Sequence, residues 1–164
     1  MGCDIHCYIE YKHRDATTTR WSSFGGRINP GRDYQLFTLL AGVQGENGPL
    51  YPVRGVPADL GYYAANDYWL YISDNCPDSE GSCSKESAHA YAIHGSHYSE
   101  DKSRISHPDW HSHSWLTTAE YGNSLDAYDR LPIHYSLVEY RALLAAMRSL
   151  EGTHDARMVF WFDN

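Results

Sequence analysis

The sequence predicts an α+β fold: a single domain whose mainly antiparallel sheet contains both terminal strands, with two to four helices packed on it. Three observations indicate this fold. Residues 3–11 alternate between apolar and polar side chains, as in a strand with one buried side. Residues 158–164 are apolar on both faces, which is typical of a central, doubly covered strand. Residues 137–150 carry an apolar stripe at helical spacing.

The length and composition of the chain favour one compact domain over residues 1–164. A chain of 164 residues with 42% apolar side chains is long enough to bury a continuous core. No stretch approaches the ~20 apolar residues of a membrane span, and no secretory signal is visible, so we expect a cytoplasmic protein. The net charge of −8, with scattered acidic residues, argues against non-specific nucleic-acid binding.

Between the terminal strands, the pattern predicts shorter elements. Apolar residues at helical spacing predict a helix over 33–41, ended by a glycine. The proline-containing stretch 43–66 predicts an ordered loop, and 68–72 a short strand. Residues 73–106 are interpreted as an insertion or mobile loop region, with a short helix near 85–92.

Two capping signatures predict where the later helices begin. Thr117 and Glu120 have the spacing of a capping box, which places a helix start directly after the His-Ser-His-Ser segment. Ser136 and Glu139 repeat that spacing before the helix over 137–150. Gly152 is the expected stop of this last helix.

Four side chains on two segments predict a metal site. Asp4 and His6 lie two residues apart on one strand, so both project to the same face. His111 and His113 have the same spacing and, if extended, present two imidazoles in the same way. If the segments are neighbours, the four groups can hold a divalent metal, with Zn²⁺ or Mn²⁺ preferred and Fe²⁺ also compatible. The alternative is solvated polar surface and hydrogen-bonded turn chemistry, since the chain contains ten histidines.

Three further residues are candidates for a role beside the metal. Glu10 and Asp109 are candidate catalytic residues, either as the general base or as groups that orient the ligands. Arg54 is the candidate substrate-binding residue, because a guanidinium suits bidentate contact with a phosphate or carboxylate. A loop arginine paired with Asp59 is the favoured alternative for Arg54.

The four cysteines carry weaker signals. Cys3 and Cys7 face the apolar side of the first strand and are expected to be core residues. Cys76 and Cys83 flank a polar loop, where they can pair or bind metal. Without a secretion signal, we expect reduced thiols.

Several motifs resemble a family of small uncharacterised proteins found in bacteriophages and bacteria. They are Gly2-Cys3-Asp4-Ile5-His6 with Glu10, Arg54-Gly55-x-Pro57, His111-Ser112-His113-Ser114-Trp115-Leu116-Thr117 and Phe162-Asp163-Asn164. The resemblance implies a phage or bacterial cytoplasmic setting. It also implies that the four candidate metal ligands act as one unit, but it supplies no activity and no substrate.

These features lead to one leading hypothesis and two alternatives. The leading one is a metal-dependent hydrolase that acts on a phosphoester or nucleotide through a metal-bound water. It requires an open coordination position, because four protein ligands close a tetrahedral zinc site. The first alternative is a non-catalytic phage accessory protein that binds a host factor or a small signalling nucleotide through exposed aromatic residues around a pocket. A structural protein of the virion is the second alternative.

Overall fold

The computed structural model describes residues 2–15, 17, 20–75, 78, 79 and 81–163. Its strands are β1 (Ile5–His13), β2 (Ser22–Ser23), β3 (Trp69–Ile72), β4 (Ser82–Cys83), β5 (Arg104–Ser106), β6 (His111–Thr117) and β7 (His154–Phe162). Its helices are α1 (Tyr34–Ala41), α2 (Tyr62–Tyr68), α3 (Lys85–Ile93), α4 (Thr118–Asp129) and α5 (Val138–Leu150). Within these residues, no helix has both the length and the apolar character needed to cross a membrane.

The main sheet has the strand order β2-β1-β7-β6, and all its pairings are antiparallel. β1 and β7 pair along their whole length, from Ile5 opposite Phe162 to His13 opposite His154. The predicted fold class is therefore confirmed: one α+β domain with both terminal strands in one antiparallel sheet. A smaller sheet, with the order β4-β3-β5, contains the parallel pair of β3 and β4.

One face of the main sheet carries the larger core. The apolar side chains of β1 and alternate residues of β7 pack there against α1, α4 and α5. In α5 the predicted stripe is buried, with Tyr140, Leu143, Leu144 and Met147 turned to the sheet. The helix predicted over 33–41 is also confirmed, because Asp33 caps the first turn of α1 and Gly42 ends it with a φ of 71°.

The opposite face of the sheet is covered as well, as the apolar run of β7 predicted and the alternation of β1 did not. Tyr8 of β1 and Val159 and Trp161 of β7 are fully buried there with residues of α2. The expectation that β1 has one buried side was therefore wrong. The reason is α2, which folds from part of the stretch interpreted as ordered loop and provides a second layer.

The two predicted capping boxes had different outcomes. At the start of α4, the Thr117 side chain accepts the Glu120 N–H and the Glu120 carboxylate accepts the Thr117 N–H, so this prediction is confirmed. At α5 the prediction was wrong. Leu137 is the N-cap, its φ is 47°, and no side chain caps the helix, because this left-handed residue separates Ser136 from the first turn.

Residues 81–106 contain β4, α3 and β5, so much of the region interpreted as an insertion or mobile loop has regular structure. The predicted helix near 85–92 and the predicted strand over 68–72 are both present, as α3 and β3. Cys3, Cys7 and Cys83 are buried free thiols. Cys76, the proposed partner of Cys83, lies outside the described residues.

Candidate functional site

The second face of the main sheet is bordered by two clefts, and α2 contributes side chains to both. We call the first the polar cleft. It has a volume of about 700 Å³ and is lined by His6, Arg27, Asn66, Asp67, Gly81, His107 and Trp110. We call the second the aromatic cleft; its volume is about 600 Å³ and its wall includes Tyr68, Trp69, His97, Tyr98 and His113.

His6 lies in the wall of the polar cleft and is fixed by Asp163. The distance from His6 Nε2 to Asp163 Oδ2 is 2.7 Å, and the imidazole is 12% exposed. The other carboxylate oxygen of Asp163 accepts the Asp4 N–H at 2.9 Å, and the Asp163 N–H donates to the Asp4 carbonyl. The backbone therefore orients the carboxylate, and the carboxylate orients the ring.

Arg27 fixes the tautomer of His6. Its guanidinium lies 3.2 Å from His6 Nδ1. Because a guanidinium only donates hydrogen bonds, Nδ1 is the acceptor, and the ring hydrogen resides on Nε2, where it points to Asp163. The exposed Arg27 side chain and the basic nitrogen of His6 thus meet at one point of the cleft.

A second polar pair lies next to this point. Tyr8, the next residue of β1 on the same face, donates its hydroxyl hydrogen to Asp67 of α2. Burial raises the pKa of Tyr8 well above its usual value, and the hydrogen bond to Asp67 raises it further. The phenol therefore stays protonated and keeps the Asp67 carboxylate directed at the cleft.

An aromatic stack forms another wall of the polar cleft. The Trp110 indole stacks on His107 at a centroid distance of 4.6 Å and on Trp161 at 5.1 Å. The His6 ring lies 5.5 Å from Trp110 at a tilted angle. Burial lowers the pKa of His107, so its ring is neutral at neutral pH.

The four predicted metal ligands are not brought together. The Asp4 carboxylate forms a bidentate ion pair with Arg32, in which Arg32 Nη2 lies 2.8 Å from Asp4 Oδ2. His6 is bonded to Asp163 and Arg27, as described above. The ion pair with Arg32 lowers the pKa of Asp4, so the carboxylate is charged but directed at a guanidinium.

A β-bulge separates the two imidazoles of β6. His111 pairs with Phe162 and Ser114 pairs with Phe160, so two residues, Ser112 and His113, lie opposite Trp161. The φ of Ser112 is 52°, a left-handed conformation that reverses the alternation of side chains. A spacing of two residues therefore no longer means a shared face.

The two rings consequently lie in different environments. His111 stacks on Phe162, which belongs to the core beneath the helices α1, α4 and α5. His113 contacts Tyr68 and Trp161 on the opposite face. The expectation of one common face was wrong, and in the described part of the chain no group of three or more His, Cys, Asp or Glu is arranged to hold a metal ion.

Glu10, a predicted catalytic residue, is completely buried in an ion network. One of its oxygens accepts the Gly61 N–H at 2.7 Å, and the other accepts Arg157 Nε at 2.8 Å. Arg157 also donates to Asp59 at 2.8 Å. Burial raises the pKa of Glu10, which the Arg157 charge opposes. In this position Glu10 anchors the loop before α2 to the sheet.

The two remaining candidates also make local contacts. Asp109 is a largely exposed carboxylate in the turn before β6, 3.9 Å from a ring nitrogen of His107. Arg54 is bonded to Glu120 through both terminal nitrogens and lies over the Trp115 ring at 4.5 Å. Arg54 therefore joins its loop to the start of α4, and its partner is Glu120 rather than the predicted Asp59.

Comparison with protein-family models, with curated protein sequences and with solved structures finds no match for this chain. Of the residues that form the polar cleft, the sequence singled out His6 alone, and Asp163 appeared only within a closing motif. Arg27, Asp67 and Trp110 carried no signal, because the fold brings them to His6 from distant segments.

Proposed function

We propose that the protein binds a small phosphorylated molecule of the phosphoester or nucleotide class in the polar cleft and hydrolyses it, with His6 as the general base. The observation that carries this proposal is the arrangement of His6 between Asp163 and Arg27 at the wall of a cleft of about 700 Å³. That volume lies within the usual range of small-molecule sites.

Among the residues that line the cleft, the Arg27 guanidinium favours an anionic group and the Asp67 carboxylate opposes one, so the anion is expected at Arg27. Arg27 is exposed, and its hydrogen-bond partner in the cleft is Nδ1 of His6 rather than a carboxylate. Its guanidinium is therefore available for bidentate contact with a phosphate. The amide of Asn66 adds a neutral hydrogen-bonding group to the lining. An acidic protein binds an anion here because the guanidinium acts locally, while the net charge of −8 is distributed over the whole chain.

The hydrogen bonds of His6 support a role in proton transfer. Once a phosphate draws Arg27 away, Nδ1 is free to accept the proton of a water that attacks phosphorus. Asp163 at Nε2 stabilises the imidazolium that forms, as an orienting carboxylate does in other acid–base pairs. The P–O ester bond breaks on the side of phosphorus opposite the attacking water, so the leaving oxygen takes its proton from solvent. Nδ1 then releases its proton to solvent, and the net reaction is the addition of water across that bond.

The test combines binding and turnover. Calorimetric titration with inorganic phosphate and nucleoside monophosphates measures binding, and a panel of chromogenic phosphoesters measures hydrolysis. We expect Arg27→Gln to weaken phosphate binding at least about tenfold, the loss of one charge-assisted contact. We expect His6→Gln to retain binding and to lower turnover about 100-fold or more.

Matched controls on exposed positions are Arg130→Gln and His89→Gln, which should behave as the wild type. Turnover is measured with a chelator and with added Zn²⁺ or Mn²⁺, because the original metal hypothesis predicts activity only with the ion. Equal phosphate affinity in Arg27→Gln and the wild type overturns the site. Binding without turnover of any ester overturns the catalytic part of the proposal.

A further inference from the structure

The aromatic cleft shares no lining residue with the polar cleft. Trp69 and Tyr98 form part of its wall; Tyr98 is 37% exposed and Trp69 is partly buried. Pro57 lines the same cleft from the loop that precedes α2. Tyr98 and the exposed part of Trp69 therefore offer flat apolar surface to the cleft, while the rest of Trp69 packs against the buried cluster around Trp161. The cleft volume of about 600 Å³ is in the range of small-molecule sites.

Two imidazoles in the wall of this cleft are uncharged at neutral pH. His97 is held on both sides, with its Nε2 2.8 Å from the Tyr68 hydroxyl and its Nδ1 3.3 Å from the Ser106 hydroxyl. Burial lowers the pKa of His97. Burial, with the neighbouring histidines, lowers the pKa of His113 to about 4. Both rings are therefore neutral, but the nitrogens of His97 are already engaged, so of the two imidazoles it is His113 that can offer a hydrogen bond to a ligand.

His113 also has an unused hydrogen-bonding atom. Its Nε2 is enclosed and has no partner among the residues that the structure describes. Its backbone carbonyl accepts the Gly55 N–H at 2.9 Å, which holds the loop of Pro57 beside β6. An enclosed polar atom without a partner is unfavourable. Nε2 is shielded from the cleft in this conformation, so a ligand completes a hydrogen bond there once the His113 ring turns towards the cleft.

We infer that the aromatic cleft binds the planar heteroaromatic ring of a small molecule of the nucleobase or nucleoside class, stacked on Trp69 and Tyr98. Such a ring combines a π-face, which the aromatic wall accepts, with an edge of neutral donors and acceptors, which suits the neutral imidazole of His113. Arg104 lies over Trp69 at 5.5 Å, on this same wall. This site is independent of the hydrolysis proposed for the polar cleft.

Titration of the purified protein with adenosine and with uridine, neither of which carries a phosphate, tests this inference. Binding is followed by calorimetry and by quenching of tryptophan fluorescence. We expect saturable binding of at least one nucleoside, weakened tenfold or more in Tyr98→Leu and in Trp69→Leu, because stacking on an aromatic side chain contributes strongly to base binding. Tyr98 is the more exposed of the two residues, so Tyr98→Leu should fold normally and tests the inference even if Trp69→Leu does not fold.

The matched control is Tyr62→Leu, an exposed tyrosine of α2 that does not line the cleft, and it should bind as the wild type does. Absence of saturable binding up to millimolar nucleoside overturns the inference. So does an equal loss in Tyr62→Leu, or a loss of nucleoside binding in Arg27→Gln, which would assign the ring to the polar cleft. If the protein binds nucleosides but not phosphate, the nucleoside site in the aromatic cleft is supported and only the proposed hydrolase is rejected.

Discussion

Acidification is expected to destabilise the protein in part through His113. The pKa of this imidazole falls from 6.5 to about 4 in the folded state, chiefly because burial disfavours its charged form. Between these two values, the unfolded chain binds a proton that the folded chain does not. The free energy of unfolding therefore falls as the pH is lowered through this window, and the loss levels off below about 4.

The size of this effect follows from the width of the window. One pKa unit corresponds to about 1.4 kcal/mol, so lowering the pH from neutral to 4 should remove about 3 kcal/mol of stability through His113. Burial also lowers the pKa of His97 and His107, which adds to the loss, whereas the raised pKa of Glu10 opposes it. A comparison of variants isolates the single residue.

The assay is urea unfolding of the wild type and of His113→Gln, followed by tryptophan fluorescence at both ends of the window. Glutamine does not titrate, so the variant should lose about 3 kcal/mol less than the wild type on acidification. His89→Gln, at an exposed position of α3, should follow the wild type. Parallel pH dependences for His113→Gln and the wild type would refute the reasoning.

Three further predictions concern stability. Arg157→Met leaves the carboxylate of Glu10 buried without its charged partner, so the free energy of unfolding measured by chemical denaturation should fall by about 3–5 kcal/mol. A variant within about 1 kcal/mol of the wild type would contradict this prediction. Thr117→Ala removes the side-chain cap of α4 and should lower the free energy of unfolding by about 1 kcal/mol. The Ser136 side chain caps no helix, so Ser136→Ala should change the free energy of unfolding by less than about 0.5 kcal/mol. Equal losses in the two variants would show that the two helix starts do not differ. Lys102→Gly should raise stability by up to about 1 kcal/mol, because Lys102 is exposed and has a φ of 56°, and a lower melting temperature would count against that strain.

The elements with strong periodicity were predictable from the sequence. Each of these elements shows its buried positions in its own sequence, without reference to its neighbours. They are β1 with its alternation, α5 with its apolar stripe and β7 with its apolar run. α2 has no such signal, because it is a short helix rich in tyrosine, of which Ala64 and Tyr68 are buried. Its absence from the prediction also hid the burial of Tyr8 and Glu10 on the second face.

The candidate site was less predictable for a different reason. The spacing of His111 and His113 indicates a common face only if β6 is regular, and the bulge at Ser112 depends on pairing with β7. Arg27 and Asp67 meet His6 through tertiary contacts between segments far apart in the chain. A pattern of residue types within one segment carries no information about such contacts.

The position of β7 has a consequence for how the protein folds during synthesis. β7 lies between β1 and β6, yet the ribosome makes it after both of them. Until it emerges, the first strand has no main-chain partner on that side and the nascent chain exposes unsatisfied strand edges. Closure of the sheet then pairs β1 with β7, which are separated by most of the chain, and such long-range pairing slows folding. The exposed strand edges meanwhile favour the binding of chaperones before the domain is complete.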